Sequence, residues 1–123
     1  MPYNSPITGN EISCVMYGVS DEKLSDTKKL EEELVQALNE DNFDVLGRVS
    51  HKFEPQGYTI AILLAESHVT VHTYPEHNSL YFNLYSCRCK HDGEKTFKLF
   101  KNYINPENVD FVERDVFVGK NEK

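Results

Sequence analysis

A chain of 123 residues has room for one hydrophobic core and not for two. Its 39% hydrophobic and 11% aromatic content excludes wholesale disorder. The formal charge of -7 excludes a nucleic-acid surface, which needs clustered Lys and Arg. A single small core buries modest area, so oligomerisation is expected.

The three cysteines, Cys14, Cys87 and Cys89, form neither an even set nor a C-x-x-C zinc spacing. The opening Met-Pro-Tyr-Asn-Ser-Pro carries no basic region or apolar run, so no signal peptide is expected, and no apolar stretch is long enough for a bilayer. These features predict a soluble cytoplasmic protein with thiols rather than disulfides, and with neither membrane nor nucleic acid as partner.

Residues 1–10, with two prolines and a glycine, read as an irregular arm. Ile12, Val15, Tyr17 and Val19 lie in a short strand ending near Gly18. From Asp21 to Asn39, Leu24, Leu30, Leu34 and Leu38 mark one face of a helix, with Glu31-Glu32-Glu33 on the wet side. Four strand-like segments follow, around Phe43–Phe53, Tyr58–Leu64, Ser67–Tyr74 and Leu80–Cys87, separated by Pro55-Gln56-Gly57 and Pro75-Glu76-His77-Asn78-Ser79. A second helix is predicted over Glu94–Ile104, stopped by Asn105-Pro106, then a last strand over Val109–Val118 and a charged, loose tail over 119–123. The order β-α-β-β-β-β-α-β predicts a single α+β domain over 1–123: a two-layer sandwich, mainly antiparallel sheet, with helices on one face. The other face would need cover, which favours a dimer.

Reactive side chains concentrate in Ala65-Glu66-Ser67-His68-Val69-Thr70-Val71-His72-Thr73-Tyr74-Pro75-Glu76. A hydrolase built on Ser67 and His72 is one option, but no G-x-S-x-G elbow surrounds the serine. A metal site is another, drawing on His68, His72, His77, Cys87 and Cys89. On a strand, His68 and His72 would lie about 13 Å apart by rise, too far for one ion, and no metal is expected. A third reading is a half-buried strand whose polar side chains merely face solvent.

The segment resembles the self-processing site of the prokaryotic S-adenosylmethionine decarboxylases, E-S-H-[IL]-[ST]-I-H-T-W-P-E followed by F-T-C. Here it reads Glu66-Ser67-His68-Val69-Thr70-Val71-His72-Thr73-Tyr74-Pro75-Glu76, then Tyr85-Ser86-Cys87. The spacing of twenty from Ser67 to Cys87 matches, as do His51-Lys52-Phe53, Pro55 and Gly57 upstream, and the element order agrees over residues 11–118.

The resemblance implies that the chain cuts itself between Glu66 and Ser67, giving a β chain of 1–66 and an α chain of 67–123. It implies that Ser67 becomes a pyruvoyl group, the covalent cofactor, whose carbonyl forms a Schiff base with the substrate amine. His72 takes the role of processing base and Cys87 that of proton donor. Thr59 stands where the family has a serine that assists processing. Phe53 aligns with an aromatic that stacks on adenine, Tyr74 with the family's Trp, and Glu76 with an acid near the substrate. The implied substrate is S-adenosylmethionine, on the route to spermidine, and the implied assembly is an αββα homodimer of processed αβ units. Cys14 is expected to be structural.

Departures from the pattern cluster at the substrate side. The family's Y-G-Y-A-A-x-D-x-F-T-C-G becomes His77-Asn78-Ser79-Leu80-Tyr81-Phe82-Asn83-Leu84-Tyr85-Ser86-Cys87-Arg88, and Glu11 stands where the first strand has a histidine. Bulky Tyr81 and Phe82 keep open a sibling pyruvoyl enzyme acting on ornithine or arginine, and a non-catalytic homologue serving as a binding partner is a third reading. Ser67 and His72 are five apart, so a regular strand puts them on opposite faces. A bulge or turn near Ser67 is therefore required if they are to meet.

Overall fold

Apolar side chains alternate along Thr8–Tyr17, and this segment forms the first strand, β1, burying Ile12, Cys14 and Met16 on one face. The computed structural model describes residues 5–119. Two helices follow, α1 over Asp21–Ser25 and α2 over Thr27–Glu40. The single helix predicted over Asp21–Asn39 is thus broken at Asp26. Its backbone leaves the helical region (φ -82, ψ 76) while its carboxylate accepts from the Lys29 N–H at 3.1 Å, ending one helix and capping the next.

A four-strand antiparallel run comes next: β2 (Val45–Lys52), β3 (Tyr58–Leu64), β4 (Ser67–Tyr74) and β5 (Ser79–Ser86), with a single 3-10 turn over Pro75–His77 before β5. Helix α3 spans Glu94–Ile104 and strand β6 spans Asn108–Phe117. The six strands form one antiparallel sheet in the order β2-β3-β4-β5-β1-β6. Strand β1 therefore lies between β5 and β6. The arm predicted over 1–10 is strand from Thr8 onward, because Thr8, Gly9 and Asn10 pair with Phe117, Val116 and Asp115 of β6. Residues 1–4 of that arm and 120–123 of the predicted tail lie outside the described residues.

The core sits between the helices and one face of the sheet. Ile60, Ile62, Leu64, Val69, Val71, Leu80, Phe82 and Leu84 meet Leu30, Leu34 and Leu38 of α2 and Phe97, Phe100 and Ile104 of α3. Each side chain so buried stabilises the fold by about 1.5–3 kcal/mol. Phe82 stacks on Phe100 with ring centres 5.8 Å apart. Cys14 belongs to this core as expected, and burial, with a smaller contribution from Asp110, pushes its thiol up to about 11.

The opposite face carries Thr59, Ala61 and Leu63 of β3, His68, Thr70 and His72 of β4, and Tyr81, Asn83 and Tyr85 of β5, alternating with the core residues. All are exposed or partly exposed, and none belongs to the core beneath the helices.

Candidate active site

Strands β3 and β4 are joined by a turn of two residues, Ala65 and Glu66, closed by the Leu64–Ser67 pair. Glu66 has φ 67, the left-handed region that a side chain makes costly, on the order of 1–2 kcal/mol. The next residue, Ser67, opens β4 facing the helices at 5% exposure, and its Oγ has no hydrogen-bond partner. The Glu66–Ser67 bond thus joins a strained residue to a buried, unsatisfied hydroxyl. Cys87, just past β5, aims its thiol at the same turn, 3.6 Å from the Glu66 carbonyl oxygen and 3.5 Å from its carboxylate Oε1. Cys87 is only partly buried, unlike a small apolar core residue.

Loop 87–93 is held in place by Arg88. Its guanidinium hydrogen-bonds the Asp92 carboxylate at 2.8–3.1 Å and the Asp41 carbonyl at 2.8 Å, and lies 3.6 Å from the centre of the Phe43 ring. Asp41 in turn accepts from Thr96 N–H and Oγ–H in the first turn of α3. Gly93 closes the loop with φ 94, and a Cβ there would come within 2.2 Å of Leu84. Burial alone would raise the Asp92 carboxyl, but the side-chain and backbone hydrogen bonds from Arg88 outweigh it and hold the group below its usual range. Such a carboxylate stabilises the fold above the usual carboxylate range, and loses that contribution as pH falls through its lowered folded value. Arg88→Ala is expected to cost about 2–3 kcal/mol in urea unfolding at neutral pH, by stranding the buried Asp92 charge. The deficit relative to wild type should narrow as pH falls through the carboxylate range, because protonation of Asp92 removes both the ion pair of the wild type and the stranded charge of the variant.

The remaining expected residues gather at the other end of β4. Thr59 Oγ1 and His72 Nδ1 are hydrogen-bonded at 2.9 Å across the β3–β4 pair, and the Tyr81 ring lies 6.1 Å from that of His72. Phe53 is 49% exposed and touches the His51 ring edge-on at 4.6 Å, so its ring is presented to solvent rather than packed in the core. Tyr74 is exposed at the end of β4, and Glu76 is exposed in the turn that follows.

This arrangement corrects the requirement for a distorted strand. Strands β3 and β4 pair without a register shift from Leu64–Ser67 to Tyr58–Thr73. The turn absorbs the irregular backbone at Glu66, one residue before the ladder begins, so the alternation continues undisturbed. Ser67 faces the helices, His72 faces the open side, and five residues at strand rise separate them by about 16 Å. Within one chain they do not meet. The sheet's register shift lies elsewhere, between Val45 and Gly47 of β2. Phe82 is likewise corrected as a pocket-narrowing residue: it is fully buried among Phe97 and Phe100. Tyr81 does face the open side, its hydroxyl 3.1 Å from Ser13 Oγ.

Sequence reasoning did not single out Ser86, Arg88, Asp92 or Asp41. The available signal was Arg88 and Asp92 at a spacing of four, immediately before a glycine and a helix.

Six antiparallel strands under one helical layer, with a buried serine beginning a strand at a tight hairpin, define a two-layer α+β domain. Residues 10–115 match the S-adenosylmethionine decarboxylase family, and the chain belongs to it. A Sulfurihydrogenibium sp. protein named S-adenosylmethionine decarboxylase proenzyme is 36% identical over 105 residues, spanning 83% of this chain and 77% of that protein. One of the same name from Archaeoglobus fulgidus is 31% identical over 102 residues, spanning 83% and 91%. The crystal structure of the adenosylmethionine decarboxylase from Aquifex aeolicus shares the fold, with a TM-score of 0.85 over 97% of this chain and 98% of that one at 24% identity. Among the described residues no helix is long and apolar enough to cross a membrane.

Proposed function

We propose that this chain is a self-processing, pyruvoyl-dependent decarboxylase of S-adenosylmethionine working in the cytoplasm as a dimer. The observation that carries the reading is the Glu66–Ser67 bond: a left-handed residue, a buried hydroxyl without a partner, and the Cys87 thiol against the Glu66 carbonyl.

Ser67 Oγ attacks the Glu66 carbonyl carbon, the C–N bond breaks, and the chain continues through an ester. His72 acts as base in the elimination that follows, which the ester permits and the amide does not. Elimination frees the Glu66 carboxylate and leaves dehydroalanine at position 67, which takes up water and releases ammonia to become the pyruvoyl group, giving a β chain of 1–66 and an α chain of 67–123. The small, buried position of Ser67 beside Cys87 suits a pyruvoyl group made from the serine itself. Once formed, that group supplies the carbonyl that takes the substrate amine and accepts the electrons released with carbon dioxide. Cys87 holds the proton to be delivered to the substrate carbon. The exposed Phe53 ring would lie against adenine, Tyr74 would flank it, Glu76 would accept from the ribose hydroxyls, and Thr59 would orient His72.

Packing on the open sheet face would overcome the separation of Ser67 and His72 along β4, with the Glu66–Ser67 turn swinging the serine hydroxyl from the helix side to that face. Two copies packed face to face about a two-fold axis, with their β4 strands antiparallel, place the Ser67 end of each over the His72 end of the other. The αββα dimer thereby completes two sites, each with Ser67 and Cys87 from one copy and Phe53, Thr59, His72, Tyr74 and Glu76 from its partner.

Intact mass under denaturing conditions tests the cut: two chains in the wild type, one in Ser67→Ala. Carbon dioxide release from S-adenosylmethionine, ornithine and arginine, measured side by side, tests the substrate. Release from ornithine or arginine alone would replace the substrate, and an uncut wild-type chain would leave a non-catalytic binding protein.

A further inference from the structure

Three buried side-chain hydroxyls or threonine oxygens lack a hydrogen-bond partner among the described residues: Ser67, Thr73 and Ser86. Two of the three stand side by side. The β4–β5 ladder runs to the His68–Tyr85 pair, and one step further on the same antiparallel register Ser67 lies opposite Ser86. Both face the helices, at 5% and 0% exposure. Directly opposed side chains of an antiparallel pair have Cβ atoms about 4.5–5.5 Å apart, within reach of a hydroxyl–hydroxyl contact after a rotation about χ1. Behind Ser86 lies the Asp92 carboxylate, close enough for the Ser86 hydroxyl to help hold it ionised, although no closed hydrogen bond is formed.

A purely structural account of Ser86 is poor. An unsatisfied buried hydroxyl costs on the order of 1–3 kcal/mol, and its approach to Asp92 is a small return for that, since Arg88 already makes the closed hydrogen bonds to the carboxylate. Within one chain His72 cannot orient Ser67 for the first step, being on the other face and hydrogen-bonded to Thr59. On the face that Ser67 Oγ occupies, Ser86 is the opposing polar side chain.

We infer that Ser86 is a positioning residue for the first step of self-cleavage: turned by Asp92, it accepts a hydrogen bond from the Ser67 hydroxyl and directs the Ser67 lone pair at the Glu66 carbonyl carbon. Asp92, ionised and fixed by Arg88, takes the Ser86 proton side, which leaves a Ser86 lone pair facing Ser67. In the step itself the bond from Ser67 Oγ to the Glu66 carbonyl carbon forms and the Glu66–Ser67 C–N bond breaks. The hydroxyl proton ends on the released amine nitrogen. Ser86 gains and loses nothing, so its effect is on the rate of cutting and not on the chemistry of the product. The inference rests on the self-cleavage reading.

The test follows the cutting of freshly translated full-length chain on a denaturing gel, for wild type, Ser86→Ala and Ser86→Thr, with thermal melting of each variant in the uncut Ser67→Ala background. Ser86→Ala should slow cutting by about tenfold or more, while melting no lower than its parent. Ser86→Thr, which restores a hydroxyl, should cut at close to the wild-type rate. Cutting of Ser86→Ala at the wild-type rate overturns the inference, as does a Ser86→Thr chain that melts normally and cuts as slowly as alanine. A wild-type chain that never cuts removes the self-cleavage reading and this inference together, and is told apart from the other failures by that result alone.

Discussion

Co-expression of His72→Ala chains with Ser67→Ala chains is expected to restore cutting of the His72→Ala chain. Each variant alone should remain a single chain, because one lacks the base and the other the nucleophile. In a mixed dimer, the intact Ser67 of one chain lies over the intact His72 of the other, and that one site is complete. With equal expression and random pairing in a two-fold dimer, about half of the His72→Ala chains should be split, and none of the Ser67→Ala chains. The unbroken β3–β4 register holds Ser67 and His72 of one chain about 16 Å apart along β4, so the histidine is expected to come from a second copy. Affinity tags of different size on the two chains report both pairing and cutting. Mixed dimers that form and remain uncut would mean that each serine uses its own histidine, and that β4 must rearrange before the reaction.

Cys87→Ala is expected to separate cutting from turnover. The thiol has no bond to make or break in forming the ester, so the variant chain should still divide into 1–66 and 67–123. Carbon dioxide release should nevertheless fall by about 100-fold or more, the usual contribution of a positioned proton donor. The contact of Cys87 with the Glu66 carbonyl makes the opposite result informative. If Cys87→Ala blocks cutting, the thiol polarises that carbonyl during attack, and its work begins before the cofactor exists. Gel and gas-release measurements on the same preparation distinguish the two.

The elements that sequence located were those with a strong period. Leu30, Leu34 and Leu38 marked α2, and the alternation through Ser67–Tyr74 marked β4, because burial on one face imposes that spacing. The break at Asp26 was missed because the leucine period runs straight through it, and only the capping geometry reveals that a new helix begins. Individual candidate residues were legible from the Glu66–Glu76 motif, but their grouping in space was not. Motif spacing says nothing about which end of a strand a side chain occupies relative to a second copy of the sheet. Arg88 and Asp92 escaped notice for a related reason: their task is to fix a loop, and the link to Asp41 spans a long stretch of chain.

The strand order has a consequence for the lifetime of the cut molecule. A break after Glu66 would assign β1, β2 and β3 to one piece and β4, β5 and β6 to the other, yet β1 remains threaded between β5 and β6, and β3 remains laced to β4. The two pieces are interlocked rather than adjacent, so neither can leave as a folded half. Heat or denaturant must dismantle the whole sheet to part them. Reassembly from separated pieces is then a bimolecular search with no covalent tether, slowed by dilution. Maturation would therefore work as a ratchet: the intact precursor can refold after every accident, whereas the finished enzyme must survive on the slowness of its first unfolding.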